Sequence, residues 1–377
     1  MSPTFRERWS PVRYAGNGPV RLAFDRLVEG GDGQPLLLVT GLGVNRHWVP
    51  DGFCRALGAE GFAVARYDQR DGGESTHLPH TSARTPVSAL LARGAPGEQG
   101  GDRGAGGGVR QVSRLAAVPL VVAGHGEALG AEGFAVARYD QRDGGESTHL
   151  PHTSARTPVS ALLARGAPGY TAEDVTDDAV AVMDALGWPS AHLVGVSLGG
   201  AVAQRVALRH PGRVRTLTSV AAVPGDLGGL RTLRYVRLGT LAKFARLNVP
   251  DTHEGAVAAG VAVSRLLASP HRAFDEAAAR AAAERNADRG VGDQRAQSRQ
   301  IAARWHGPPV EAVTRPTLVV HGEDDPLIKV RAAHAIASRI PGARLLLLPR
   351  TGHELPEPAW EPLVTAIGRL AADAAAR

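Results

Sequence analysis

Three short stretches of this 377-residue chain carry residue types that could act together on a carbonyl. Gly195-Val196-Ser197-Leu198-Gly199 sets a serine between glycines, straight after the apolar run "AHLVGV" and straight before the helical "LGGAVAQRVALRH". The pentapeptide alone is common by chance in a chain with 46 glycines, so its setting decides. A strand running into a helix through so tight a turn strains the backbone at the serine and leaves no room for side chains beside it, which is what a nucleophile elbow demands. The helix N-terminus beneath Ser197 would favour negative charge developing above it. "LVVHGEDDPLI" then places Asp324 and Asp325 just past a second buried strand, and "LLLLPRTGHELP" places His353 in the loop after a third. A turn aspartate before proline or a loop histidine is ordinary alone. Their joint occurrence in the order Ser197, Asp325, His353 is what groups projecting from the C-terminal edge of one parallel sheet produce.

The elements that must position these residues are legible along the chain. "PLLLVTGLG" and "FAVARYD" are continuous apolar runs, as strands buried on both faces should be, and "VRTLTSVAAV", "PTLVVHG" and "ARLLLLP" repeat the pattern. Helical stretches separate them. In "TAEDVTDDAVAVMDALG", Thr171 and Asp174 have the spacing of a capping box, Val175, Ala179, Met183 and Leu186 share one face, and Gly187 is the stop. Strands alternating with helices give an α/β fold with a mostly parallel central sheet and flanking helices. From 224 to 315 the sequence turns Ala/Arg-rich without a strand signal, which predicts an inserted helical lid between core segments 1–223 and 316–377.

Composition excludes several classes of function. The net charge of +6 is spread along the chain, with two lysines among 43 basic residues and no basic run interleaved with aromatics, so no nucleic-acid partner is expected. The N-terminal "MSPTFRERWSPVRYAGNG" lacks the apolar core of a secretory signal and no 18-residue apolar stretch occurs, so the expectation is a cytoplasmic protein without a membrane partner. The single cysteine, Cys54, sits in the apolar helical "DGFCRAL" and reads as a small buried hydrophobe. The twice-occurring "HLPH" (His77, His80, His149, His152) reads as loop histidines rather than a metal site, because proline interrupts the spacing. "GEQGGDRGAGGG" follows no strand and lacks the G-K-[ST] ending of a phosphate loop. No metal or organic cofactor is signalled.

Together "TGLG", "RYDQRDGGES", "GVSLGG", "HGEDDP" and "TGHELP" resemble the α/β-hydrolase superfamily, and the "RYD-x-RD-x-G-x-S" form with the Ala/Arg-rich lid is most similar to the aclacinomycin-methylesterase-like carboxylesterases of polyketide metabolism. The resemblance implies that Ser197 is the nucleophile, His353 the general base and Asp325 its orienting carboxylate, preferred over Asp324 because the family places that carboxylate directly before proline. It also implies an oxyanion hole from the backbone N–H groups of Leu42 and Leu198, a small-molecule ester as substrate and no cofactor. One departure is Thr40, where the family usually has histidine; only backbone donors are essential there. Amide, lactone or C–C bond hydrolysis, or a non-catalytic binding role on the same fold, are the alternatives.

A 42-residue block, Ala56–Gly97, recurs letter for letter as Ala128–Gly169, offset by 72 residues. The sheet has one slot for "FAVARYD". The second copy lies at a suitable distance before Ser197, but only the first keeps the whole preceding helix "PDGFCRALGAEG", which predicts Phe62–Asp68 in the sheet and an excursion over about 76–169. The second copy is expected to have no function of its own, whether it is a recent tandem duplication or an error in the recorded sequence.

Overall fold

A computed structural model of the chain describes residues 9–28, 33–42, 44–70, 72–76, 170–247, 252–287 and 300–376. The chain divides into two units, Met1–Pro86 with Arg156–Arg377, and Val87–Ala155. All described residues belong to the first. The second copy of the duplicated block, the four HLPH histidines and the glycine-rich stretch between the two copies lie outside the described residues.

The apolar runs become the inner strands. β1 (Arg13–Asn17), β2 (Val20–Arg26), β3 (Gln34–Val39), β4 (Phe62–Tyr67), β5 (Ala191–Val196), β6 (Val214–Val220), β7 (Thr317–Gly322) and β8 (Arg344–Leu348) form one sheet in the order β1-β2-β4-β3-β5-β6-β7-β8. β1 and β2 pair antiparallel, as do β2 and β4, and every pairing from β4 to β8 is parallel. The chain is thus an α/β-hydrolase fold with a mostly parallel sheet. Strand β4 comes from the first copy of the duplicated block and is buried along its whole length.

Two helical layers cover the sheet, and the alternation along β3 shows why both are needed. Leu37 and Val39 face one layer, where α2 (Ala172–Ala185), α3 (Leu198–Arg209) and α7 (Arg331–Arg339) contribute Val175, Met183, Val206 and Ile336. Leu36 and Leu38 face the other, where α1 (Asp51–Ala59) and α8 (Trp360–Ala375) contribute Phe53, Leu57, Leu363 and Ile367. Each such side chain taken from water contributes about 1.5–3 kcal/mol.

Helix α2 opens with a capping box: the Thr171 amide donates to Asp174 Oδ2 at 2.6 Å and the Asp174 amide donates to Thr171 Oγ1 at 3.2 Å. Gly187, at φ 73°, ends it. Between β6 and β7 the described residues hold no strand; they include two 3-10 turns (Gly229–Arg234 and Val310–Ala312) and helices α4 (Leu238–Ala245), α5 (His253–Leu267) and α6 (Glu276–Ala287). α5 and α6 pack on each other, and α6 also lies against the 3-10 turn Arg46–Trp48. No helix among the described residues is long and apolar enough to cross a membrane.

Candidate active site

Three loops at the C-terminal edge of the sheet bring the singled-out side chains together. Ser197 leaves β5 with φ 56° and ψ −120°, the strained geometry of a strand-to-helix elbow, and caps α3. The strain persists because the surroundings fix it. The Ser197 amide donates to Val220 O at 2.8 Å, and α3 is pressed so close to the end of β3 that a Cβ on Gly199 would stand 2.1 Å from Val39 O. Only glycine fits there.

His353 Nε2 stands 2.9 Å from Ser197 Oγ, and its Nδ1 stands 2.7 Å from Asp325 Oδ2. Both His353 and Asp325 are buried while Ser197 is half-buried. Asp325 Oδ1 accepts the amides of Leu327 and Ile328, each at 2.7 Å, so the second oxygen is left for the histidine. Burial alone would raise the Asp325 pKa. The charge and hydrogen bond of His353, helped by His321 and the Ile328 amide, hold it below its ordinary value. His321, fully buried with Nε2 3.4 Å from Asp325 Oδ2 and 3.1 Å from Ile328 O, has its pKa lowered by burial against the opposing pull of Asp325.

Asp324 points elsewhere. Its Oδ2 accepts Ser269 Oγ at 2.6 Å and lies 2.9 Å from His271 Nδ1, both in the turn after α5. Adjacent carboxylates thus go to different partners.

The turn Thr40–Leu42 abuts the serine: a Cβ on Gly41 would stand 3.4 Å from Ser197 Cβ and 3.9 Å from its Oγ. The half-buried Leu42 follows, and Leu198 opens the first turn of α3, whose amides lack intrahelical acceptors. Gln69 Nε2 donates to Thr40 O and ties this turn to the segment after β4. Cys54, on the buried face of α1, has its thiol pKa pushed up to about 12 by burial and takes no part. No group of three or more His, Cys, Asp or Glu side chains that could hold a metal occurs among the described residues.

Motif reading missed a second set of buried charges behind the Thr40–Leu42 turn. Arg46, 1% exposed, donates from its amide to Asp68 Oδ1 at 2.6 Å and from its guanidinium to Asp68, Glu74 and, at 2.9 Å, Asp25. Burial works against its charge, but the three carboxylates outweigh it and raise its pKa above the ordinary arginine value. Arg66 pairs with Asp25 at 2.8 Å and stacks on the Trp9 ring at 3.5 Å. The signal was present: "NRHW" after an apolar strand and "RYDQRD" after another put charge where a buried loop must neutralise it.

Residues 120–358 match the family described as alpha/beta hydrolase fold. That match runs through the second copy of the duplicated block, whereas β4 comes from the first. The copies are identical, and the second offers the shorter path to Gly195. Rhodomycin D methylesterase DnrP of Streptomyces peucetius is 30% identical over 267 residues, covering 64% of this chain and 82% of the relative. A 2-hydroxymuconate semialdehyde hydrolase of Pseudomonas putida is 31% identical over 188 residues, covering 49% of this chain and 63% of the relative. The solved meta-cleavage product hydrolase of Pseudomonas fluorescens IP01 shares the fold, with a TM-score of 0.59 at 16% identity over 96% of this chain and 98% of that one. With the family pattern matched over more than half of its length and a sheet of this order, the chain belongs to the α/β-hydrolase family.

Proposed function

We propose that the protein is a serine hydrolase that cleaves a carboxylic ester of a small molecule, with Ser197 as nucleophile, His353 as general base and Asp325 as its orienting carboxylate. The observation that carries this reading is the continuous relay from Asp325 Oδ2 through His353 to Ser197 Oγ, with spacings of 2.7 and 2.9 Å, ending on a strained elbow. A serine hydroxyl is a poor nucleophile at neutral pH, so His353 takes its proton as Oγ attacks the ester carbonyl. Asp325 keeps the proton-bearing Nδ1 turned inward and stabilises the imidazolium. The Leu42 and Leu198 amides receive the oxyanion, each worth about 3–4 kcal/mol to the transition state. His353 then returns the proton to the leaving alcohol, and water releases the acid by the same route. The segment between β6 and β7 serves as the lid.

The methylesterase relatives, spanned over 82% of their length, favour a methyl ester of a polyketide-like molecule as substrate. The semialdehyde hydrolase relative supports a second reading, hydrolysis of a C–C bond by the same three residues. Turnover of aryl esters, methyl esters of aromatic polyketides and a vinylogous diketone separates the two. In either case Ser197→Ala should lower kcat by about 10⁶-fold and abolish fluorophosphonate labelling while the fold persists. Full labelling of the alanine variant would remove Ser197 from its role, and a folded wild type that turns over no member of the panel would favour a binding protein.

A further inference from the structure

The residues next to Asp325 and His353 in sequence share one target. Asp324 Oδ2 receives Ser269 Oγ at 2.6 Å and faces His271 Nδ1 at 2.9 Å. Glu354 Oε1 receives the Ser269 amide at 3.1 Å and the Arg272 guanidinium. Four residues that end the α5 arm of the lid are therefore held between two carboxylates, one on each loop of the relay.

The backbone draws the same two parts together. The His353 amide donates to Leu267 O, the last residue of α5, at 2.8 Å. A Cβ on Gly352 would stand 2.3 Å from that same oxygen, so the two chains are in contact with no space for a side chain. Arg350 is held at φ 51°, left-handed for a non-glycine residue, while its Nε and Nη2 donate to His271 O at 2.9 and 2.7 Å. On the far side, Trp360 Nε1 donates to Leu355 O at 2.8 Å and anchors the loop to α8. The His353 loop is thus fixed at one end by the core and at the other by the lid.

We infer that the Leu267–Arg272 segment sets the position of the His353 imidazole, with Glu354, Asp324 and Arg272 as positioning residues, so that lid placement and proton transfer at Ser197 are coupled. This rests on the serine-hydrolase reading above. Relays of this kind are sensitive to position, since a displacement of about 1 Å costs up to about 10²-fold in rate. A lid that merely shaped the pocket would act on substrate affinity. A lid that holds the base acts on the chemical step even for an ester too small to reach it.

The test uses the full chain with p-nitrophenyl acetate and a small fluorophosphonate. Glu354→Gln and Arg272→Met should each lower kcat and the labelling rate by about tenfold, with KM changed less than twofold and Tm little moved. The double variant should be no worse than the more affected single one, because both remove the same tie. Arg272→Lys, which restores a cation, should recover part of the loss. Ser269→Ala, which removes one of the two partners of Asp324, is the second probe should Glu354→Gln fold poorly, and it should lower both rates in the same sense. Unchanged kcat and labelling in these variants, or a rise in KM with kcat intact, would overturn the inference. Ser197→Ala separates the two failures: if it is inactive and unlabelled while the positioning variants behave as wild type, the coupling fails and the serine-hydrolase reading stands. If Ser197→Ala keeps activity, the reading beneath both has failed.

Discussion

Asp68 and Asp325 are both fully buried carboxylates, each just past the end of a parallel strand, yet they face partners of opposite kinds. Asp325 meets His353 and His321, whose charge depends on a proton, and it keeps one oxygen aimed at a ring that touches Ser197. Asp68 meets Arg46, whose charge is permanent, and adds the amides of Arg46 and Glu74 at 2.6 and 2.9 Å. A carboxylate held against a titratable ring can raise and orient that ring's basicity. One held against a guanidinium can only fix a loop in place. The two sites use the same residue type in the same topological position. On the mechanism proposed above, the partner decides whether the charge serves chemistry or architecture.

Substituting each carboxylate's function separately is the strongest way to break that contrast. Asp325→Asn should lower kcat by about 10³–10⁴-fold, because the histidine loses both tautomer control and its stabilising charge, while the fold persists. Asp324→Asn should fall far short of this, since that side chain serves Ser269 and His271. The pH dependence of stability gives the same comparison a sign. The Asp325 pKa is lowered by folding, so its contribution is present above the ordinary aspartate value and is lost as pH falls through the folded one. In urea titrations the wild type should therefore lose its advantage over Asp325→Asn as pH drops below about 4. A stability gap between the two that widened on acidification would mean that Asp325 is not held ionised as the geometry requires.

The Arg46 cluster should answer in stability instead. Arg46→Met leaves Asp68 buried without its guanidinium partner and Asp25 with Arg66 alone, at a cost of about 3–5 kcal/mol in unfolding free energy. Turnover of the molecules that remain folded should fall less than in Asp325→Asn, through the displaced Thr40–Leu42 turn. A variant with wild-type stability and a 10³-fold loss of kcat would place Arg46 with the chemistry and dissolve the distinction.

Legibility divided along the same line. Ser197, Asp325 and His353 each follow an uninterrupted apolar strand by a few residues, so local pattern and chain order were enough to single out three side chains that meet in the folded chain. The choice of Asp325 over Asp324 rested on resemblance, because nothing local separates neighbours whose difference lies in which loop each one faces. The Arg46, Asp25 and Arg66 contacts join segments 21 and 41 residues apart, and charged residues read by default as surface. The hairpin β1–β2 was missed because β1 is a sheet edge with only Ala15 buried, which leaves no apolar alternation to detect. The tie between Glu354 and Arg272 crosses 82 residues and has no motif at all.

The smallest effects are expected from the second copy of the duplicated block, and the contrast can be sharpened inside one repeated sequence. Asp68 and its copy Asp140 have identical neighbours for the whole 42-residue block, but only the first copy supplies β4 and the carboxylate that Arg46 holds. Asp68→Asn should therefore destabilise by several kcal/mol, on the order of 3. Asp140→Asn should change neither stability nor turnover. Deleting Glu98–Gly169 goes further and removes 72 residues while leaving one complete copy that joins Tyr170 as the second copy does in the full chain. Every contact described around Asp68, Ser197, Asp325 and His353 is made by residues that the deletion keeps. Shortening the connection from Thr76 to Tyr170 from roughly 90 residues to about 20 lowers its closure entropy cost by about 1–1.5 kcal/mol. The shortened protein should thus unfold at slightly higher urea, with kcat/KM on a small aryl ester within about twofold of the full chain. Loss of activity in a well-folded deletion variant would show that the removed 72 residues contribute to the site, whereas a large destabilisation by Asp140→Asn with none by Asp68→Asn would reverse the assignment of β4 to the first copy.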